Sequence, residues 1–398
     1  MSRGAGSTPA PGRSARPGLL LLALSVFAVV TTEVLPVGLL PLIAADFGTS
    51  EATIGLLVTL YAALVAVLAV PLTLATRRVP RKRLLLVAIG CFVLSTVLAA
   101  AAPSLAVLAA ARALGGAAHA VFFSVCIGYA TRLVPPASTG RALALVSAGI
   151  SAAFVLGVPL STALGTAVGW RGGFVALTVV MAVALALIAV RLPPVEASPG
   201  EARSVPGRRR SLVAAVASNG LCYSGQYTLY TYITVLLLRS GAVPAAVGPI
   251  LLAFGGLGLA GVWIAGPRLD RHFRRTALTV LTLVVVAVLA AGAAFPALAA
   301  VIAAGALWNG AFGPVASIYQ TAAVRTEAVS ADLAGAWINA TANVGIGAGA
   351  AIGGVVLELG GLRAVAWTSA ATLVLAGVVV LLARDTFPAR TARVGAGA

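Results

Sequence analysis

Acid is scarce in this chain: ten Asp and Glu stand against 27 Lys and Arg in 398 residues, and charge of either sign makes up only 9% of the sequence. A water-soluble protein of this length carries several times more charge on its surface. Lysine is scarcer still, Lys82 being the only one, and no Gly-x-x-x-x-Gly-Lys-Ser/Thr loop is present to cradle a phosphate chain, which argues against direct ATP hydrolysis. Cys91, Cys126 and Cys222 are an odd three, far apart, each inside an apolar run. They lack the spacing of a metal site or disulfide framework and read as packing residues. His119 and His272 have no sequence neighbours that would complete a metal site. No metal and no cofactor are expected.

Apolar residues fill the space that charge leaves, at 60% of the chain with a mean hydropathy of +1.06. A bilayer core takes about 20 apolar residues per helical span, and polar or Gly/Pro breaks cut the chain into twelve such segments. They fall near 19–45, 53–76, 84–102, 104–131, 142–168, 172–192, 212–238, 245–266, 277–294, 297–322, 333–357 and 362–383. Their length excludes spanning strands, and lipid offers backbone groups no outside partner, so the segments are predicted to be helices. The expected fold class is an all-α integral membrane protein of twelve transmembrane helices. The first run is too long for a signal peptide and eleven more follow it. Residues 1–18, rich in Gly, Ser, Pro and Arg, are expected to be disordered.

The sequence also repeats itself. Arg77, Arg78, Val79, Pro80, Arg81 and Lys82 recur 193 positions later as Asp270, Arg271, His272, Phe273, Arg274 and Arg275. The same offset carries Arg132 to Arg325 and, within one residue, Trp170-Arg171 to Leu362-Arg363. Two pseudo-symmetric six-helix bundles, 19–192 and 212–384, are the economical reading. Residues 193–211, with six Pro or Gly between the sixth and seventh spans, read as a flexible linker, and 385–398 as a tail.

Net charge of +17 raises the question of nucleic acid, and its distribution answers it. The basic residues concentrate in loops 77–83, 191–211 and 268–275, whereas loop 46–52 holds Asp46 and Glu51 and loops 102–105 and 294–297 hold no charge. That alternation is the positive-inside pattern. It predicts a multi-pass protein of the plasma or inner membrane with both termini cytoplasmic, facing anionic headgroups rather than a nucleic acid.

Twelve spans in two halves, with related basic loops after the second and eighth, resemble the major facilitator superfamily. In the second loop Gly266, Asp270-Arg271 and Arg274-Arg275 fit that family's signature. The first departs from it, with Thr73 and Pro80 in place of glycines and Arg77 in place of the acid. This departure resembles the arabinose-efflux-permease-like and purine-nucleoside-efflux-like members of the twelve-span drug:proton antiporter branch. So do Thr31-Thr32-Glu33 with Pro36, Gly38 and Pro41, Arg112 through His119 to Phe122-Phe123, and Gly157-Val158-Pro159-Leu160 running to Gly165 and Gly169-Trp170-Arg171. The resemblance implies rocking bundles around a central cavity, and efflux. It makes the loop residues Arg77, Arg78, Arg81, Asp270 and Arg271 conformational candidates.

Glu33 is the only acid deep inside a span. Charge at that depth costs about 2.5–3.5 kcal/mol on insertion scales, so the side chain is expected to line a cavity or carry a proton. Proton carrying competes with a plain reading in which Thr31, Thr32 or Tyr61 satisfies the carboxyl. Its mate 193 positions on is the neutral isostere Gln226, flanked by Asn219, Tyr223, Tyr227 and Tyr230 at helical spacing on one face. One half would titrate and the other would bind solute, with Asn309, Asn339 and Asn343 as further polar candidates. Interhelical packing is the competing account of the stripe.

Arg112 and His119, two turns apart on the fourth span, are placed in the proton path; Arg112 would help Glu33 ionise or else bind carbonyls freed near Pro36 or Pro41. His119 extends the relay or simply packs. Gly149, Gly157 and Gly165 recur every eight residues around Pro159 in the fifth span, and Gly345, Gly347, Gly349, Gly353 and Gly354 crowd the eleventh. They are read as tight packing, with the fifth span moving against the eleventh as an added expectation. One central carboxylate suits exchange of about one proton for a neutral or monocationic solute such as a sugar, nucleoside or phenicol antibiotic. Proton-coupled uptake and a non-transporting scaffold or sensor are the alternatives. A functional monomer driven by the proton gradient is expected.

Overall fold

A computed structural model describes residues 15–76, 78–130, 132–134, 139–194, 208–329 and 331–388. The first half comprises α1 (Ala15–Phe47), α2 (Glu51–Ala75), α3 (Arg81–Ala100) and α4 (Leu105–Ala130). Its fifth span joins α5 (Thr139–Ala152) to α6 (Val158–Val168) through a π-turn over Ala153–Gly157, and α7 (Trp170–Arg191) is the sixth. In the second half the seventh span is α8 (Arg209–Tyr230) with α9 (Ile233–Arg239). The eighth and ninth are α10 (Pro244–Arg271) and α11 (Phe273–Ala294), and the tenth is α12 (Leu298–Phe312) with α13 (Val315–Arg325). α14 (Ala331–Leu382) holds the last two, divided where Gly361 adopts φ 72°, a left-handed turn that glycine enters without a Cβ clash.

Ten stretches of the described residues are long and apolar enough to cross a bilayer, one of them, Ala334–Leu382, being this broken pair. The seventh span is not among them: Asn219, Ser224, Gln226, Thr228 and three tyrosines dilute it, and burial inside the bundle is what such a helix needs. The twelve predicted spans are thus all present. Three boundaries differ from expectation. Residues 15–18 and 209–211 are helical rather than disordered or linker. The first residues of the tail are docked, Phe387 stacking on Phe273 at 6.1 Å and Thr386 donating to the Ser211 carbonyl at 3.1 Å.

The two halves carry the same devices. Arg171 donates to the Ala102 carbonyl at 2.9 Å, and Arg363 to the Phe295 carbonyl at 2.8 Å, donor and acceptor lying 192 and 193 positions on. At the basic-loop end Lys82 donates to the Ala189 and Leu192 carbonyls at 2.8 and 2.6 Å, and Arg274 to those of Leu381 and Phe387. A cation on the exposed carbonyls of a helix C-terminus satisfies orphan acceptors and complements the dipole. Among the conformational candidates, Arg78 is exposed in the loop, Arg81 opens α3 and Arg271 closes α10. Arg77 and the side chain of Asp270 lie outside the described residues.

Small residues set the helix contacts. A Cβ on Gly149, Gly157 or Gly165 would meet the Ala23 carbonyl, the Thr31 side chain or Leu39, so the eight-residue repeat of the fifth span rides on an eight-residue repeat of the first. Gly345, Gly349 and Gly353 likewise ride on Gly220, Ser224 and Thr228 of the seventh. The expected fifth-against-eleventh contact is therefore corrected: the repeats seal each half internally. Between the halves, the fifth span meets the eighth, with the Pro159 carbonyl against Gly248 and the Phe154 carbonyl against Gly255. The eleventh meets the second, where Thr59 donates to the Gly347 carbonyl at 2.9 Å.

Candidate transport site

A cavity of ≈ 360 Å³ lies between the halves. Its wall takes Val30 and Glu33 from the first span, His119 and Phe123 from the fourth, and Ile150, Phe154 and Val155 from the fifth. The second half adds Tyr223, Gln226, Tyr227, Tyr230, Phe254, Asn309, Phe312, Gln320, Asn339 and Asn343. The lining continues to Gln320 and Gly335, toward the basic-loop end. At the other end the halves are joined: Arg239 pairs with Glu51 at 2.6 Å, Ser50 donates to Glu358 at 2.9 Å and Thr234 to the Val37 carbonyl at 3.0 Å.

The first-half wall begins with a missing proton. Pro36 has no N–H, which leaves the carbonyl of Thr32, one turn earlier, without its helical donor. Arg112, 1% exposed, donates to that carbonyl at 2.7 Å and to the Glu33 carbonyl at 2.9 Å, its guanidinium lying 4.3 Å over the Tyr61 ring. The arginine therefore neutralises backbone first and sits beside the carboxylate rather than on it. Thr31 and Thr32 spend their hydroxyls on the Phe27 and Ala28 carbonyls, so neither serves Glu33. Beside the carboxylate is His119, whose Nδ1 is 3.6 Å from Glu33 Oε2 and 2.9 Å from the Tyr61 hydroxyl, while its ring stacks on Phe123 at 4.9 Å.

The second-half wall is aromatic and uncharged. Trp308 donates its indole N–H to Gln226 Oε1 at 2.6 Å. Rings follow one another from Phe312 to Tyr223, Tyr227, Tyr230 and Trp308 with centroids 5.6–6.4 Å apart. Asn219 is a correction: it lies off the cavity, and its amide donates to the Ile338 carbonyl and Thr341 hydroxyl of the eleventh span at 2.8 and 2.9 Å. Its side chain meets the neighbouring helix rather than the gap. Asn309 donates to the Gly305 carbonyl and Asn343 to the Asn339 carbonyl, both within their own helices. Two lining atoms, His119 Nε2 and Asn343 Oδ1, are buried without a hydrogen-bond partner.

Sequence reasoning missed Trp308, Phe254, Phe312 and Gln320. The duplication could have found two of them, because Phe254 and Phe312 are the 193-offset mates of Tyr61 and His119. A mid-span tryptophan, whose N–H needs an acceptor, was the signal for Trp308.

Two six-helix halves around a cavity between them are the architecture of a multi-pass membrane transporter. The model of the Major Facilitator Superfamily matches residues 22–331, and the chain belongs to that family. A chloramphenicol efflux pump of Mycobacterium tuberculosis is 33% identical over 85% of this chain and 86% of its own length. The transcription regulatory protein OpdE of Pseudomonas aeruginosa is 33% identical over 94% and 95%, and a probable sugar efflux transporter of Mannheimia succiniciproducens 31% identical over 88% and 90%. A solved bacterial homolog of the human lysosomal transporter Spinster, inward-facing and occupied, superposes with a TM-score of 0.77 at 18% identity, covering 98% of this chain and all of that one.

Proposed function

We propose that this transporter exports a small neutral or monocationic solute in exchange for a proton. The observation that carries the reading is Glu33: it is the sole carboxylate on the cavity wall among the described residues, with His119 against it and Arg112 bonded to its main-chain carbonyl. A protonated Glu33 would leave an uncharged cavity, and an ionised one would be held by neighbouring donors. Gln226, Asn309, Asn339, Asn343 and the tyrosine series bind the solute by hydrogen bonds and ring contact. Sugar- and phenicol-like solutes fit this chemistry, and two relatives are named for efflux of such compounds. With the basic loops in the cytoplasm, as the positive-inside pattern favours, the cavity faces inward and Arg239–Glu51 belongs to the outer closure. The protein acts as a monomer in the cell membrane with the proton gradient as its energy source.

Everted, acid-inside vesicles containing a pH-sensitive dye test this. Chloramphenicol, neutral sugars, nucleosides and monocationic drugs are added in turn. Solute-evoked proton efflux that disappears in Glu33→Gln is the expected result; wild-type exchange in that variant removes Glu33 from the mechanism, and solute uptake with protons reverses the direction.

A further inference from the structure

His119 touches both sides of the exchange. Its Nδ1 faces Glu33 Oε2 and the Tyr61 hydroxyl, whereas Nε2, on the other side of the ring, is buried at the cavity wall with no partner. Across the cavity Asn343 Oδ1 is in the same condition, its amide N–H₂ already spent on the Asn339 carbonyl. A buried polar atom without a partner costs about 1–3 kcal/mol, so each favours a ligand that supplies the missing bond. A neutral imidazole carries one proton on one of its two nitrogens, and the bond made by one nitrogen sets the state of the other.

We infer that His119 Nε2 and Asn343 Oδ1 together select solutes with two hydrogen-bond donors, and that His119 transmits the donor it reads to Glu33 by exchanging tautomers. This rests on the proton-exchange reading above. With the cavity empty, Glu33 is protonated, His119 carries its proton on Nε2, and Nδ1 accepts from Tyr61. On loading, the Glu33 proton passes to Nδ1 as the Nε2 proton leaves into the cavity, so the imidazole stays neutral, Glu33 becomes a carboxylate and one proton is released. The solute hydroxyl or amide N–H then donates to the bared Nε2, which blocks return, and Nδ1–H donates to the carboxylate. The other titratable groups around this ring are Tyr61 on the second span, Arg112 on its own span and Tyr223 and Tyr227 across the cavity. Arg112 is fixed on backbone carbonyls and remains a constant cation throughout. The solute class is therefore neutral, with two donors such as paired hydroxyls or a hydroxyl and an amide.

Calorimetric titration of the full-length protein in buffers of different ionisation enthalpy reads affinity and proton release together, with chloramphenicol and lactose as probes. Wild type is expected to release about one proton per bound solute and to lose the infrared band of a protonated carboxyl. His119→Gln keeps a polar group at the wall but cannot exchange tautomers. It is expected to bind within about tenfold of wild type, the value of one hydrogen bond, while releasing no proton. Diacetylated chloramphenicol, its hydroxyls blocked, is expected to bind wild type at least about tenfold more weakly than the parent. Full proton release in His119→Gln, equal binding of the diacetyl compound, or wild-type binding of neither probe overturns the inference. Undiminished release in Glu33→Gln overturns the exchange reading itself, whatever His119 does.

Discussion

Laid over one another at an offset of 193 residues, the two halves differ most where their folds agree best. Glu33, Tyr61, Arg112 and His119 of the first half correspond to Gln226, Phe254, Gly305 and Phe312 of the second. Every ionisable member of the first set is matched by a side chain that cannot titrate, or by none. The space left by the arginine is filled from the side, since a Cβ on Gly305 would sit 2.5 Å from the Phe254 ring. The two copies thus share a scaffold, while one carries charge at the cavity and the other lines it with rings. The same divergence occurs at the closed end. Asp46 pairs with Arg171 inside its own half at 2.7 Å, but its mate is Arg239, which reaches across to Glu51 at 2.6 Å. A bond that closes one half has become a bond between halves.

Transplanting the carboxyl is the most severe way to break this comparison. Glu33→Gln with Gln226→Glu moves the acid to the half that lacks Arg112, His119 and Tyr61, and proton-coupled flux in vesicles should stay about 100-fold or more below wild type, within the range positioned proton-transfer groups contribute. Recovery of flux would mean that depth alone suffices. Arg112→Leu comes next: it strips the donors from two backbone carbonyls, and thermal unfolding in detergent should register a loss of about 3 kcal/mol. In the second half Gly305→Ala forces Phe254 aside and should cost about 1–3 kcal/mol by the same assay, from overpacking rather than lost polarity. Smallest is Arg239→Gln. Its pair with Glu51 is half exposed, worth about 1 kcal/mol or less, so spin-label distances across the closed end should shift toward the open population by no more than about fivefold.

Much of the site was legible along the chain. Glu33 stands out because a carboxyl inside an apolar run has no inexpensive explanation, and Gln226 follows from it by offset alone. The tyrosine face was legible through helical periodicity. Asn219 belonged to that same periodic face and failed, because periodicity gives direction around a helix but not the distance to the next one. Arg112 was assigned either to the carboxyl or to carbonyls freed by proline, and sequence could not choose. Its helix packs so that the guanidinium reaches Thr32 and Glu33 main chain while Tyr61 covers its face. The glycine repeats of the fifth and eleventh spans announced close contact, yet not with whom.

The sequence by itself determined the class, the span count and the duplication, since apolar run length, loop charge and repeat offset are properties of the chain that lipid reads locally. It also determined that Glu33 is the one acid deep inside a span. Tertiary structure alone decided which helices touch, that Trp308 serves Gln226, that His119 stands between Glu33 and Tyr61, and which end of the cavity is closed. Those are distances between segments remote in sequence, fixed by how small residues let helices approach, and no local pattern encodes them.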